Sequence, residues 1–397
     1  MAQTPQKGAH WVPFAYGFRP FFLLAGCYAV IAMLAWLAIY SGGATPVGPI
    51  PAHLWHGHEM LFGFAGAAIA GFMLTAVPSW TGQRGFAGWP LVLLTVFWLA
   101  GRVSFATAGQ IPAAALLMGE LLFMPALALM IAPALLRARN RNTPLLLVLL
   151  AFCILDAIFL FAVLRGDMLS ATNALRSGID LILVLITVIG GRIVPSFTSN
   201  ALKQRGIRAP MRTSKLVDQL TIGSMIALLI AGFISPHQMA TAAIAGIACL
   251  AQLIRISGWQ SWRCLNDPLV LILHVGYLWL PVALALKSLH LGIDAAWAVH
   301  WVHAAGAGAA GTMILAVMTR AALGHTGRPL AAGKPITAAY ILLTLAVLVR
   351  TFGPALLPIG YSAIVSLAAF LWSAAFLVFV LVYAPILTRP RVDGRSG

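Results

Sequence analysis

Histidines with ligand-like spacing occur in two separate segments of the chain. The first segment reads HLWHGHEM from His53 to Met60, and the second contains His300 and His303. Imidazole is the commonest metal ligand in proteins and also holds haem iron. Because the chain has no CxxCH motif, a haem bound here would be held non-covalently. The candidate ligands for a haem or another metal are His56, His58, His300 and His303.

Helical geometry decides which of these side chains can share a site. His56 and Glu59 are three residues apart, so they would lie on one face of a helix. A carboxylate there could hold the second ring nitrogen of a ligating His56. His56 and His58 are separated by about 200° around a helix, so they cannot reach one metal from a straight helix. One of them would face a haem while the other faces a second site.

The two histidine segments are expected at the same membrane depth, on helices of the same direction. Haem iron takes two axial nitrogens at about 2 Å on opposite sides, which two facing helices can supply. Small residues let helices or a flat macrocycle approach closely, and both segments are flanked by glycines: Gly57, Gly63, Gly66, Gly71, Gly306, Gly308 and Gly311. The alternative is that interfacial histidines face headgroups and water. We interpret His53, His237 and His290 as solvated loop residues, and His10 as part of the N-terminal tail.

The composition requires a membrane around these histidines. Of the 397 residues, 61% are hydrophobic and only 9% are charged, against about 25% charged in soluble domains. Apolar runs of roughly 20 residues recur along the chain, as a bilayer core requires. We expect an all-α, polytopic transmembrane bundle in a single integral membrane domain, 1–397, with a cytoplasmic N-terminal segment, 1–20, and a cytoplasmic C-terminal tail, 387–397.

The apolar runs predict twelve transmembrane helices, numbered here in chain order. Their predicted spans are 21–40, 55–78, 88–108, 112–136, 144–164, 173–195, 216–234, 238–256, 268–288, 296–320, 335–353 and 360–386.

The basic residues orient these helices. The N-terminus, the C-terminus and the loops after helices 2, 4, 6, 8 and 10 contain 19 of the 25 Lys and Arg, whereas the opposite side contains five. The positive-inside rule then predicts that both termini are cytoplasmic. Because the net charge of +16 is distributed among loops rather than gathered in one patch, we do not expect nucleic acid as a partner.

A weak repeat occurs every four helices. Predicted helix 2 closes with VPSWT (77–81), helix 6 with VPSFT (194–198), and helix 10 more loosely with VMTR (317–320). Three arcs of four helices would give a pseudo-threefold bundle, since internal repeats are common in membrane folds. The alternative is that Pro, Ser and Thr finish these helices by chance.

Other charged groups allow more than one interpretation. Arg19 precedes helix 1 and would either reach lipid phosphate or clamp a cytoplasmic site. Arg192 borders an expected break in helix 6 at the second Val-Pro-Ser segment. Asp156 and Asp180 lie within predicted helices 5 and 6, where each would pair with a neighbour or relay protons.

Over nearly its whole length the chain resembles the NnrS family of bacterial membrane proteins. The stretches that carry the resemblance are 55–64, 71–82, 191–198, 274–279 and 317–328. The resemblance implies a haem- and copper-containing protein of the cytoplasmic membrane, linked to nitric oxide metabolism, denitrification and resistance to nitrosative stress. The histidines on family motifs are His56, His58, His274, His303 and His325, and the arginines that we group with them are Arg19, Arg192, Arg320 and Arg328.

The chain also has a fainter likeness to the haem–copper oxidase fold, which likewise implies a haem held by histidines of helices 2 and 10. That family also has twelve helices in three arcs, and its low-spin haem is held near the outer ends of helices 2 and 10. Its copper centre uses histidines of helices 6 and 7, and neither predicted helix contains one here. Copper, if bound, is therefore expected at the remaining histidines of helices 2 and 10.

The leading hypothesis is a membrane protein with haem b, and with copper as a second candidate cofactor, that binds or reduces nitric oxide. Its partners would be the lipid bilayer, nitric oxide and, for reduction, a quinol or another membrane electron donor; an enzyme would be an oxidoreductase acting on nitric oxide. The alternative hypothesis is a transporter of a metal, haem or a nitrogen-oxide species without redox chemistry.

Overall fold

The computed structural model describes residues 12–43, 48, 50–208, 211–212, 214–235 and 238–394, and within these ranges the chain is helical with no β-strand. Twelve of its helices are long and apolar enough to cross a membrane, which confirms the predicted all-α, multi-span fold. They are α1 (Phe18–Tyr40), α2 (Ala52–Thr81), α3 (Trp89–Ala106), α4 (Ala113–Arg137), α5 (Leu145–Leu164), α6 (Met168–Gln204), α7 (Lys215–Ile234), α8 (Met239–Ser257), α9 (Pro268–Ile293), α10 (Ala296–His325), α11 (Lys334–Leu356) and α12 (Tyr361–Thr388).

Helix α6 differs most from its predicted span. It begins early because the Asp167 side chain accepts a hydrogen bond from the Ser170 backbone N–H and caps the first turn. It then continues through Pro195 to Gln204, so the predicted helix break at the second Val-Pro-Ser segment is wrong. Membrane helices tolerate an internal proline where neighbouring groups satisfy the freed backbone.

The first Val-Pro-Ser segment does lie at the end of a helix. Helix α2 ends at Thr81, three residues after Pro78, because Gly82 adopts a left-handed backbone with φ of 67°. Its N–H donates to the Pro78 carbonyl, a common way to finish a helix. In α6, Thr198 is followed by Ser199 and not by a glycine. The same motif therefore ends α2 but lies within a continuous helix in α6.

Helices α2, α6 and α10 contact one another at the centre of the bundle. Along the chain, contacts join α11 to α12, α12 to α1 and α1 to α2, and the series α3–α6 and α7–α10 are joined in the same sequential way. Contacts also join α6 to α7 and α10 to α11, so neighbouring helices pack sequentially around the whole bundle, and the pseudo-threefold arrangement remains a prediction. The three central helices supply most of the walls around the predicted histidine segments.

The two histidine-bearing helices share a local change of geometry. Helix α2 becomes π-helical over Glu59–Ala65, and α10 becomes π-helical over Ala304–Gly311. Both changes begin directly after a histidine, and the two π-helical segments contact each other. Such segments are rare and often occur at functional sites.

Candidate functional site

A cavity of about 500 Å³ opens between α1, α2, α6, α10, α11 and α12. It lies where the even-numbered helices begin and α1 and α11 end, which we call the cavity end of the bundle. Both His56 and His303 line it, from α2 and α10 respectively, and we call it the histidine cavity. The structure therefore brings together one histidine from each of the two predicted segments.

These two imidazoles lack the partners that buried polar groups usually have. Among the described residues, no group hydrogen-bonds to the imidazole ring of His56 or His303, and the Nδ1 atom of each is buried. The His56 ring stacks on Trp36 at 4.7 Å between ring centroids, and His303 lies 6.0 Å from the His300 ring. Because nearly all buried side-chain polar atoms are satisfied in folded proteins, the two unpaired rings are the candidate ligand groups of this cavity.

Small residues give one wall of the histidine cavity its open shape. The wall from α10 includes Ala305, Gly306, Ala307 and Ala310, and α2 and α12 add Gly57, Ala65, Ala368 and Ala369. A Cβ built on Gly306 would meet no atom within 4 Å, so this glycine faces open space. A narrow, small-residue wall is suited to a flat ligand.

Two arginines lie among the lining residues at the mouth of the histidine cavity. Arg350 donates to the Tyr361 hydroxyl at 3.0 Å and to Nδ1 of His300 at 3.2 Å. Arg176 lines the same cavity from α6, and its guanidinium makes no hydrogen bond to another described residue. His300 thus binds an arginine and is not part of the cavity wall. His53, which we predicted to be in a loop, lies in the first turn of α2 and lines the cavity.

His58 points away from the histidine cavity, into a second buried site. Its Nδ1 lies 3.0 Å from Oε1 of Glu59 and its Nε2 lies 3.0 Å from Oδ1 of Asp156. The ring is fully buried and stacks on Phe105 at 3.9 Å. The expectation that His56 and His58 serve different sites therefore agrees with their positions.

The predicted support of His56 by Glu59 is wrong. The Glu59 carboxylate binds His58 and Arg102, the latter at 2.5 Å, and leaves Nδ1 of His56 without a partner. The π-helical turn that begins at Glu59 changes the angular step on which the i, i+3 argument depended.

Sequence reasoning missed two members of the second buried site. We had counted Arg102, within predicted helix 3, only among the charges of the non-cytoplasmic side, but it is buried in α3 and also donates to Oε2 of Glu120 at 2.5 Å. Glu120 is buried in α4. A usable signal was present, because Glu59 and Glu120 are the only two glutamates in the chain and both lie within apolar spans.

A third buried polar group adjoins the histidine cavity. Lys287 of α9 donates to both carboxylate oxygens of Asp180 of α6, at 2.8 and 2.5 Å, and lies over the Trp301 ring. Arg176 and His290 line a small pocket of about 20 Å³ beside this pair. His290 therefore lies inside α9, and its predicted position in a loop is wrong.

His274 lies apart from the histidine cavity. Its Nε2 is 2.8 Å from the Thr198 hydroxyl and its Nδ1 is 2.9 Å from the Ser261 hydroxyl. Both ring nitrogens are thus satisfied by hydroxyl groups, and neither is directed at a cavity that His56 or His303 lines.

Other family-motif residues hold the opposite end of the bundle together. Arg19 is buried and donates to the carbonyls of Leu387 and Arg389, which removes it from lipid phosphate. His325 stacks on Tyr16, whose pKa is raised by burial. None of these residues lines the histidine cavity.

The remaining predicted arginines are also distant from the histidine cavity. Arg192 is exposed and donates to Asn142 at 2.6 Å, and Arg320 lies 4.2 Å from the centroid of the Phe197 ring. Arg328 follows α10 and keeps a buried Nη1 without a hydrogen-bond partner among the described residues. His10 and His237 fall outside the residues that the structure describes.

Comparison with known proteins identifies one relationship. No curated protein matches the chain. The sequence profile of the family described as NnrS protein matches residues 12–391, which is nearly the whole chain. The chain therefore belongs to the NnrS family, as its motifs predicted.

Proposed function

We propose that this protein is a membrane haem protein that binds nitric oxide and acts in protection from nitrosative stress. Membership of the NnrS family fits a role in the nitric oxide response. The observation that carries the haem part of the proposal is the pair of unpartnered imidazoles, His56 and His303, on one cavity. We place the protein in the bacterial cytoplasmic membrane with both termini on the cytoplasmic side.

The donor set fits haem b. Imidazole is a common axial ligand of haem iron, and ligation would satisfy the nitrogen atoms that the protein leaves unpaired. The cavity volume of about 500 Å³ lies within the range of roughly 300–1,000 Å³ that is usual for small-molecule and cofactor sites. His56 and His303 are the residues that would hold the group.

The two arginines at the cavity mouth fit the acidic edge of haem b. Haem b carries two propionate carboxylates, and Arg176 and Arg350 both line the cavity. Guanidinium groups bind carboxylates through strong, charge-assisted hydrogen bonds. We propose that each arginine holds one propionate, which would place the acidic edge toward the cavity end and the apolar edge toward the interior.

The chemistry that haem would supply here is an iron atom that binds nitric oxide in place of one histidine, while the other histidine would keep the group in the cavity. The protein's own contribution is an apolar surrounding and a route to it. A smaller pocket of about 80 Å³ between α2, α6 and α10 is lined only by apolar residues and glycine, and it shares Ala65, Ile182 and Ala310 with the histidine cavity. Nitric oxide is small and uncharged, so such a lining would admit it from the hydrocarbon interior. Reduction of nitric oxide by electrons from a quinol or another membrane donor remains a prediction.

The test is the visible spectrum of the full chain purified in mild detergent. We expect a reduced-minus-oxidised spectrum of b-type haem, and a further shift when nitric oxide is added to the reduced protein. His56→Ala and His303→Ala should each lower the haem content by more than about tenfold, because each removes a ligand. His274→Ala is the control and should keep the pigment, since its ring binds two hydroxyl groups elsewhere.

The opposite result would favour transport. A colourless protein that still protects cells from nitric oxide would rule out the haem proposal. The transport of a metal, haem or a nitrogen-oxide species would then be the function to examine.

A further inference from the structure

The second buried site contains more negative than positive charge. We call His58, Glu59, Arg102, Glu120 and Asp156 the carboxylate cluster. It has three carboxylates and one guanidinium, and all five side chains are buried between α2, α3, α4 and α5. Uncompensated charge inside a membrane protein is costly, so the two excess negative charges must be neutralised, either by protons or by a bound cation.

The contacts of His58 leave one carboxylate oxygen without a donor when the ring is neutral. Each of its ring nitrogens lies 3.0 Å from a carboxylate oxygen, on Glu59 at one side and on Asp156 at the other. A neutral imidazole carries only one N–H group, so it can donate to only one of them. The other nitrogen and its carboxylate oxygen then present two lone pairs to each other, an arrangement that a shared cation would stabilise.

Arg102 hydrogen-bonds to only two of the four carboxylate oxygens of Glu59 and Glu120. It binds Oε1 of Glu59 and Oε2 of Glu120. The other oxygen of each carboxylate, Oε2 of Glu59 and Oε1 of Glu120, is buried with no hydrogen-bond partner among the described residues. Buried charged oxygens of this kind are usually satisfied, so the cluster presents free acceptors as well as excess charge.

The spacing of the ligand atoms fits one ion. One atom each from His58, Glu120 and Asp156 lies within 4.8 Å of the other two. Metal bonds of about 2.0–2.2 Å to nitrogen and oxygen place ligand atoms at most about 4.4 Å apart, so a small contraction would complete the site. We propose that His58, Glu120 and Asp156 bind one divalent cation, whose charge equals the excess in the cluster, with Arg102 as a positioning residue that holds Glu120.

The ligand set also limits which ion the site takes. One imidazole nitrogen and two carboxylate oxygens suit Zn²⁺, Fe²⁺, Mn²⁺ or Cu²⁺, whereas Cu⁺ prefers sulfur ligands, which this three-residue set does not contain. The site is separate from the histidine cavity, because His56 and His58 lie on different sides of α2. The inference therefore does not rest on the haem proposal.

The experiment measures metal bound to the full chain. Cells would be grown with added Zn²⁺, Fe²⁺, Mn²⁺ or Cu²⁺, and the purified protein would be analysed for metals, with haem iron measured separately and subtracted. We expect about one equivalent of one non-haem metal in the wild type, and a decrease of tenfold or more in Asp156→Asn and Glu120→Gln. Both substitutions keep size and polarity but remove the charge.

A matched control separates loss of the site from loss of stability. Asp180→Asn removes an equally buried carboxylate from the unrelated pair with Lys287, and it should retain the metal. Should the cluster variants fail to fold, the wild type loaded with Cu²⁺ gives a second measurement. Its electron paramagnetic resonance spectrum should show coupling to one imidazole nitrogen, which changes on ¹⁵N-histidine labelling.

Two results would overturn the proposal. The first is a wild type with no non-haem metal under any of the four growth conditions and no nitrogen coupling after Cu²⁺ loading. The second is a bound metal whose amount is the same in Asp156→Asn, Glu120→Gln and the wild type. In either case protons, rather than a metal, would neutralise the cluster.

Discussion

His56 and His303 face one cavity from different helices, and neither imidazole hydrogen-bonds to another described residue. They are far apart in sequence and meet because α2 and α10 contact each other through their π-helical segments. Each π-helical segment begins directly after a histidine, at Glu59 and at Ala304. The widened turns and the small side chains of α10 together leave room beside the two rings for a bound group.

Filling the open space at Gly306 should displace the cofactor without harming the fold. The Cβ of a leucine at position 306 would meet no atom of the protein, so we expect Gly306→Leu to leave the folded fraction unchanged. The rest of the side chain would occupy the space of the cofactor, and haem content should fall by about tenfold or more. A tenfold loss corresponds to about 1.4 kcal/mol of binding free energy. The measurement is haem per chain by absorbance. Gly223→Leu, at an exposed glycine of α7 with equal space, is the control. Equal haem content in both variants would place the cofactor elsewhere.

The mouth arginines should affect how tightly the cofactor is held. Arg176→Gln and Arg350→Gln each remove a guanidinium from the cavity lining. A hydrogen bond to a charged group contributes about 1.5–3 kcal/mol, so each variant should release haem to an acceptor protein roughly tenfold faster or more. Arg165→Gln changes an exposed arginine near the start of α6 and should not alter the rate. If all three variants lose haem at the wild-type rate, the propionates do not lie at the mouth.

The helix count and the separation of His56 from His58 were predictable because both depend on local pattern. Apolar length predicts a membrane span, and a spacing of two residues places side chains on different sides of a helix. The extension of α6 past Pro195 was not predictable from the motif, since the decisive difference is the glycine that follows only the first copy.

The polar clusters could not be predicted because their pairings join distant parts of the chain. His58 and Asp156 are 98 residues apart, and Asp180 and Lys287 are 107 apart. A single sequence shows that each group is buried in an apolar run, but not which partner neutralises it. Arg102 shows the consequence, because its place in predicted helix 3 did not reveal Glu59 and Glu120 as its partners.

The apolar route should control how fast gases reach the haem. Ala68 and Ile186 line only the smaller pocket that adjoins the histidine cavity. We expect Ala68→Leu to slow carbon monoxide rebinding after flash photolysis of the reduced protein, and Ile186→Ala to accelerate it, because the first narrows the pocket and the second widens it. The absorption spectrum should not change in either variant. Equal rebinding rates in both variants and the wild type would place gas access on another path.

The buried pair of Asp180 and Lys287 should be important for stability, and a double-mutant cycle can show whether it does more. Each residue is at most 3% exposed, and the two side chains are joined by a bidentate contact between α6 and α9. Removing one partner of a buried pair leaves an uncompensated charge and costs about 3–5 kcal/mol, whereas replacing both by apolar residues costs much less. We therefore expect Asp180→Leu and Lys287→Met to lower the free energy of unfolding strongly, and the double variant to recover most of the loss, measured by reversible unfolding in mixed detergents.

The double variant also tests whether the pair positions Arg176, which lies beside the pair and lines the histidine cavity. Recovered stability with a changed haem spectrum would show that the pair helps to hold Arg176 in place, whereas additive losses in the double variant would contradict the assignment of the two residues as one ion pair.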